Sequence, residues 1–258
     1  MIRMLRADLK RLWKSAALRL SLIGMLALAS AFMAIQATSM DYTVPLSRVI
    51  FLPMSMYGVF MGALVSVFVG TDFSDGFIRN KLLVADHRSS LVLAQILVSC
   101  IACAIVYAMV TLFTAGVGQF FFENNVDSLT FIRFFFLGLG MSLTTGCLYA
   151  VITLLFGNKT QAVILCMGLA FVMLFLAMHT NSILVQPEFK DGVLNPKYVG
   201  GIRRFLSGIL HDLNLCGQAA QLSTWEVWNP VRIVVLDLTM IAGMSALGCG
   251  LFRRKNIN

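Results

Sequence analysis

The side chains that could carry out chemistry are few in this sequence and lie far apart. The three histidines, His87, His179 and His211, fall in three different polar segments. A phosphate-binding G-x-x-x-x-G-K-[ST] motif is missing, since residues 157–160 read GNKT and lack both the spacing and the first glycine. Metal-protease and serine-hydrolase motifs are missing as well. We therefore expect no catalytic site and no metal site in this chain.

Asp237 is the one charged residue well inside an apolar stretch, VRIVVLDLTM. An acid at such a depth is costly and by default suggests a function. It could line a cavity that receives a basic substrate group, or it could carry a proton. It could equally be a structural acid that bonds to a nearby Ser, Thr or Arg or reaches the outer interface.

The elements that would position these residues are membrane spans. The chain has 258 residues, of which 59% are hydrophobic and only 12% charged, whereas soluble domains have roughly 25% charged residues. Several windows meet the requirement of about 20 apolar residues for a helical span. We predict an all-α polytopic membrane protein with a single transmembrane domain, 1–258. Its six spans lie near residues 18–37, 49–70, 91–116, 134–156, 162–178 and 231–252.

The third apolar run continues to Phe122, which is longer than a bilayer core requires, and Gly116 and Gly118 are candidate ends for its helix. The fourth and sixth spans carry small residues four apart, and such seams allow helices to pack closely. We expect that packing either within the chain or across a dimer. The small residues are Gly138, Ser142, Gly146, Ala242, Ala246 and Gly250.

The basic residues set the orientation. With the N-terminus inside, the inner segments hold 13 bases and four acids, and the outer segments hold seven of each. This asymmetry predicts that both termini are cytoplasmic. It also explains the net charge of +8 without a nucleic-acid partner, and the protein is expected in the plasma membrane.

Two flanking segments have amphipathic character. Residues 1–16 combine apolar positions at helical spacing with bases on the other face, which is typical of an interfacial helix. The long outer segment 179–230 contains a second amphipathic helix that begins near Ile202. It either floats on the surface or dips back towards the membrane. Trp225 and Trp228 are expected to anchor it at the interface.

A charged island, 71–90, separates the second and third spans. It contains Asp72, Asp75 and Gly76, followed by the run FIRNKLLV. The apolar residues of this run alternate with Arg79, Asn80 and Lys81 at helical spacing. We predict a short amphipathic helix that fits a groove on another protein.

This island resembles the first cytoplasmic loop of the type-2 (ABC-2) ATP-binding-cassette exporter permeases. The resemblance rests on Asp75-Gly76-Phe77-Ile78, on Leu82-Leu83-Val84 and on Arg88. The basic N-terminal helix, the six spans and the long outer segment also match that family. Phe77 departs from it, because Thr or Ser is commoner there, and Pro is missing before Arg88.

The resemblance implies a permease subunit that pairs with a second copy or a related subunit. Each would dock onto a separate ATPase subunit through residues 73–84, and that partner would bind ATP and Mg²⁺. The small bacterial permeases of peptide-antibiotic export and immunity are similar, so the expected substrate is an amphipathic peptide or a hydrophobic compound. Asp237 is assigned to the translocation pathway. The coupling residues would be Phe73, Asp75, Gly76, Phe77, Ile78, Arg79, Lys81, Leu82 and Leu83.

Two other functions are compatible with the sequence. One is a proton-coupled secondary carrier that uses Asp237, which would transport without an ATPase. The other is a membrane scaffold for peptide binding or immunity, which would hold a peptide with the segment 179–230 and transport nothing.

Overall fold

The computed structural model describes residues 2–39, 43–84, 87–190 and 192–254, and most of them are helical. The N-terminal part consists of α1 (Ile2–Lys14), α2 (Ala16–Ser39), α3 (Ser47–Ile50), a 3₁₀-helix (Leu52–Met56), α4 (Tyr57–Ser74) and α5 (Phe77–Val84). The remainder consists of α6 (Arg88–Gly118), α7 (Ser128–Phe156), α8 (Lys159–Leu184), β1 (Phe189–Lys190), β2 (Val193–Leu194), α9 (Gly201–Leu213), α10 (Leu215–Thr224) and α11 (Pro230–Arg254).

Six helical segments among the described residues are long and apolar enough to cross a membrane, which confirms the predicted number of spans. They are α2, the continuous stretch from α3 to α4, α6, α7, α8 and α11. The all-α fold class is also confirmed, apart from the antiparallel pair of two-residue strands β1 and β2. These helices indicate a multi-pass membrane protein.

Several predicted span ends were wrong. α7 begins at Ser128 rather than near residue 134, because the side chain of Asp127 caps it by accepting the Thr130 N–H at 3.1 Å. α8 continues to Leu184 rather than ending near residue 178. The beginning of the segment 179–230 is therefore part of a span helix. α6 ends at Gly118, as predicted.

The second span is broken, which the sequence analysis missed. Pro53 lies in the 3₁₀-helix that separates α3 from α4. A proline has no backbone N–H to donate and disfavours a helical conformation in the residue before it. The hydroxyl of Thr114 on α6 lies 2.8 Å from the carbonyl oxygen of Ile50, at the end of α3. The Thr114 hydroxyl thereby donates a hydrogen bond to a backbone carbonyl at the point where the helix is broken.

The small residues on two spans behave differently. Gly138 on α7 faces Tyr107, and Gly146 faces the backbone of Cys100, both on α6. A Cβ at Gly146 would lie 2.7 Å from the Cys100 Cα. The seam on α7 is therefore packed within the chain. In contrast, the seam on α11, formed by Ala242, Ala246 and Gly250, is exposed.

The bundle has two distinct ends. At one end lie α1, α5 and the turn into α8, where Gly70 contacts Lys159. At the other end lie β1, β2, α9 and α10. The start of α11 lies beside α9, because Arg232 pairs with Asp212. Near the other end of α11, Gly248 lies close to Val92, which is near the start of α6. We call these the α5 end and the hairpin end, where the hairpin is α9 and α10 together.

Candidate functional site

The turn between α4 and α5 depends on the backbone conformation of Gly76. The backbone N–H of Asp75 donates to the carbonyl of Thr71 at 2.9 Å, and that of Gly76 to the carbonyl of Phe73 at 3.3 Å. Gly76 has φ +72°, in the left-handed region that favours glycine. α4 therefore ends at Ser74, and α5 begins at Phe77 directly after the glycine.

A cluster of charged and polar side chains then fixes α5 against the bundle. We define the charge cluster as Asp8, Arg11, Asp72, Lys81 and Gln95. The carboxylate of Asp72 accepts hydrogen bonds from Arg11 Nη1, from Lys81 Nζ at 2.6 Å and from Gln95 Nε2 at 2.9 Å. Asp8 lies 2.7 Å from Lys81 Nζ and 3.2 Å from Gln95 Nε2. The cluster joins α1, α4, α5 and α6.

The charges of this cluster balance, with two carboxylates against two cations. Asp72 and Asp8 are almost fully buried, at 0% and 3% exposure. Burial lowers the pKa of Lys81 to about 8, although the neighbouring Asp8 opposes that shift. Burial also lowers the pKa of Arg11, whose guanidinium lies 4.5 Å from the centre of the Phe68 ring.

The residues predicted to couple this chain to a partner point in different directions. Asp75 and Gly76 are exposed, and Phe73 is half-buried. Phe77 and Leu83 are exposed, at 48% and 85%.

Ile78 and Lys81 face inwards instead. Ile78 packs into the core at 3% exposure, and Lys81 belongs to the charge cluster. Arg79 and Leu82 belong to α5, but their side chains lie outside the described part of the chain.

A groove of about 390 Å³ lies between α1 and α5 beside the charge cluster. Its lining surface is largely apolar. It is lined by Met4, Ala7, Asp8, Arg11, Phe77, Asn80 and Lys81. Phe77 and Asn80 of α5 line this groove together with Met4 and Ala7 of α1, so a partner segment lying in it would contact both helices.

Sequence reasoning missed most of the charge cluster. Asp8 is the only acid in a basic N-terminal helix, and Asp72 lies just inside the end of a span. Both positions are unusual enough to suggest a paired, buried acid. Their shared partner Lys81 lies far from Asp8 in sequence. The sequence alone therefore could not show that these residues pair.

At the hairpin end, α9 turns its polar face inwards. Its amphipathic helix was predicted correctly, but the apolar face is the exposed one, with Ile202 at 77% and Phe205 at 62%. His211 and Asp212 are fully buried. This orientation suits a helix whose outer face meets lipid instead of water.

The tip of the hairpin reaches far into the bundle. Asn214 Nδ2 donates to the carbonyl of Met173 on α8 at 2.7 Å. Met173 lies eleven residues before the end of α8 at Leu184, which is about 16 Å along the helix axis. α10 is buried along most of its length. The hairpin therefore packs deep against α8, and re-entry of the segment 179–230 into the membrane stays a prediction.

The two tryptophans after α10 have separate roles. Trp225 was expected to be an interfacial anchor, but its ring packs against two phenylalanines of the bundle. The ring centres lie 4.8 Å apart for Phe134 and 5.3 Å apart for Phe51. The backbone of Trp225 ends α10 in a left-handed conformation. Trp228 is 43% exposed and lies beside His211.

Asp237 belongs to a buried polar network below the hairpin. It is 3% exposed, and its Oδ1 accepts a hydrogen bond from Gln218 Nε2 at 3.1 Å. Gln218 also donates to the backbone carbonyl of Asp212 at 2.9 Å. The carboxylate of Asp212 bonds to Gln221 and Arg232. These bonds support a structural acid, while the role of Asp237 in translocation stays a prediction.

No protein-family model matches this chain, and a search of curated protein sequences finds no significant similarity. A functional proposal therefore rests on the residues and on the geometry described above.

Proposed function

We propose that this chain is the membrane subunit of an ATP-binding-cassette exporter of the ABC-2 type. In this proposal a dimer of such subunits forms the pathway for an amphipathic peptide or a hydrophobic compound. A separate ATPase binds ATP and Mg²⁺ and docks on α5. Both termini are cytoplasmic, in the plasma membrane of a bacterium.

The observation that carries the proposal is the way α5 is held. Lys81 binds acids on α4 and α1, while Phe77 and Leu83 of the same helix are exposed. A short helix outside the spans is thereby fixed to the spans and still offers apolar side chains to a partner. Force applied to α5 is transmitted to α4 and α1 through buried ion pairs.

The same geometry supports the carrier alternative in one respect. Broken helices near the midplane form the binding sites of many secondary carriers, and here both the broken second span and the hairpin tip lie within the bundle. The cavity at that tip is small, however, at about 10 Å³. It holds at most one water molecule. The exporter proposal therefore has the stronger support.

The decisive experiment is purification of the tagged chain in mild detergent, with measurement of ATP hydrolysis in the purified complex. Leu83→Asp should abolish the co-purified ATPase activity, because it places a charge on the docking face. Val193→Asp is the matched control, since Val193 is also exposed, at 70%, but lies at the hairpin end. Its complex should hydrolyse ATP at the unmodified rate.

Leu83 is preferred to Ile78 for this test because Ile78 is buried and its replacement would disturb the core. A wild-type preparation with no ATPase would count against the proposal, as would equal activity in the two variants. Transport that requires only a proton gradient would favour the carrier. Peptide binding without transport would favour the scaffold.

A further inference from the structure

The outward face of α1 carries a stripe of three bases. Arg6, Lys10 and Lys14 are all exposed and recur at i, i+4 and i+8, so they lie along one side of the helix. Their side chains form no ion pair or hydrogen bond with the described part of the chain. Asp8 on the same helix points the other way, into the charge cluster. The stripe therefore presents uncompensated positive charge.

This stripe borders a second groove, of about 540 Å³, on the side of α1 that faces away from α5. Apolar side chains and the bases line it, and none of the lining residues is acidic. They are Arg6, Leu9, Lys10, Leu12, Trp13, Lys14 and Ile105. Trp13 is 66% exposed at its edge.

The groove brings basic and apolar side chains together beside a span. Arg6, Lys10 and Lys14 belong to α1, whereas Ile105 is the eighteenth of the 31 residues of α6. Ile105 therefore lies about 25 Å along the span helix from its start. A ligand that fills the groove meets both bases and aliphatic side chains.

We propose that this groove binds one anionic phospholipid. The phosphate would be held by Arg6, Lys10 and Lys14, whose aliphatic stems lie along the apolar surface while their charges reach the headgroup. An acyl chain would pack against Leu9 and Ile105. Trp13 suits the headgroup level.

Charge and depth together select this ligand. A zwitterionic lipid brings a cationic headgroup to a site that already has three cations. An acidic soluble protein could neutralise the stripe, but it would not reach Ile105 at the depth of the acyl chains. The inference does not depend on transport or on an ATPase partner.

Native mass spectrometry of the full chain in detergent tests the proposal, with phosphatidylglycerol and phosphatidylcholine of equal chain length as the probes. The wild type should retain one phosphatidylglycerol in preference to phosphatidylcholine. The triple variant Arg6→Gln, Lys10→Gln, Lys14→Gln should bind phosphatidylglycerol roughly a hundredfold more weakly, because each base near an anionic headgroup contributes roughly fivefold.

The matched control removes the same charge from the opposite end of the bundle, by Arg133→Gln, Lys197→Gln and Arg203→Gln. These three bases are also exposed, and this variant should bind like the wild type. A charge-conserving variant, Arg6→Lys, Lys10→Arg, Lys14→Arg, should also retain the lipid, which separates lost binding from lost folding.

Several results would overturn the proposal. Among them are equal retention of the two lipids by the wild type, undiminished phosphatidylglycerol binding by the glutamine variant of α1, and equal weakening in the control variant. Free glycerol phosphate should compete only weakly, because it lacks the acyl chains. Competition as strong as that of the whole lipid would show a phosphate site and refute the lipid site.

Discussion

The ammonium of Lys81 on α5 lies 2.6 Å from the carboxylate of Asp72 on α4. Asp72 is fully buried, and the side chain of Lys81 is only 14% exposed. The two residues are nine positions apart on either side of the Gly76 turn, so their contact closes the turn and fixes the direction of α5. Movement of α5 therefore requires either movement of α4 or loss of a buried ion pair.

Replacement of Lys81 by Met should release α5 from the bundle. Removal of one partner of a buried pair costs on the order of 3 kcal/mol, and Asp72 would retain Arg11 and Gln95. The thermal midpoint in detergent should fall by several degrees, and amide hydrogens of α5 should exchange faster. Asn80→Met on the exposed side of α5 is the control and should change neither. An unchanged midpoint in Lys81→Met would show that the pair does not hold α5.

Two glycines in span helices should respond in opposite ways to replacement by alanine. Gly146→Ala should destabilise the protein by roughly 1–3 kcal/mol, because the new methyl would meet the backbone of Cys100. Gly250→Ala should be neutral or slightly stabilising, since nothing lies within 4 Å of its Cβ position and alanine favours a helix. The measurement is the thermal midpoint of each variant in detergent, compared with that of the wild type. Destabilisation by Gly250→Ala would show that the α11 seam is packed against a second chain.

Asp237→Asn separates the two interpretations of that acid. Asparagine keeps an oxygen that can accept the hydrogen bond from Gln218, so the fold should persist and the thermal midpoint should stay within about 2 °C of the wild type. The transport rate or the substrate range, measured in reconstituted vesicles, should change. Loss of stable protein with no separate transport effect would assign Asp237 a structural role.

The sequence predicted the parts of this fold that local periodicity determines. Apolar runs revealed the six spans, and helical spacing revealed α5 and α9. The turn at Gly76 was visible as an acid–glycine pair before an apolar run. In each case the pattern depends on residues close together in the chain.

The sequence did not predict which face of a helix is buried. An amphipathic helix has two faces, and where lipid replaces water the apolar face can be the outer one. For α9 this choice depends on the distant residues Thr180 and Arg232, which contact His211 and Asp212. Trp225 was misplaced for the same reason, because its partners Phe51 and Phe134 belong to other spans.

His211 should make the hairpin sensitive to acid. Its Nδ1 lies 2.7 Å from the hydroxyl oxygen of Thr180, and that hydroxyl can donate to the carbonyl of Leu176 at 2.9 Å. Nδ1–H is then the donor to Thr180, and Nε2 is buried without a partner among the described residues. A second proton on the ring would therefore be unsatisfied. Burial lowers the pKa of His211, while Asp212 opposes the shift.

The sign of the pH effect follows from this lowered pKa. Below pH 6.5 the unfolded chain takes up a proton at His211 that the folded chain does not, so stability falls as the pH falls, by roughly 1.4 kcal/mol per pH unit until the folded pKa is reached. Thermal midpoints between pH 7.5 and 5 should therefore decline more steeply for the wild type than for His211→Asn. His179→Asn, at an exposed histidine, is the control and should follow the wild type. If His211→Asn declined as steeply as the wild type, another group would be responsible for the sensitivity to acid.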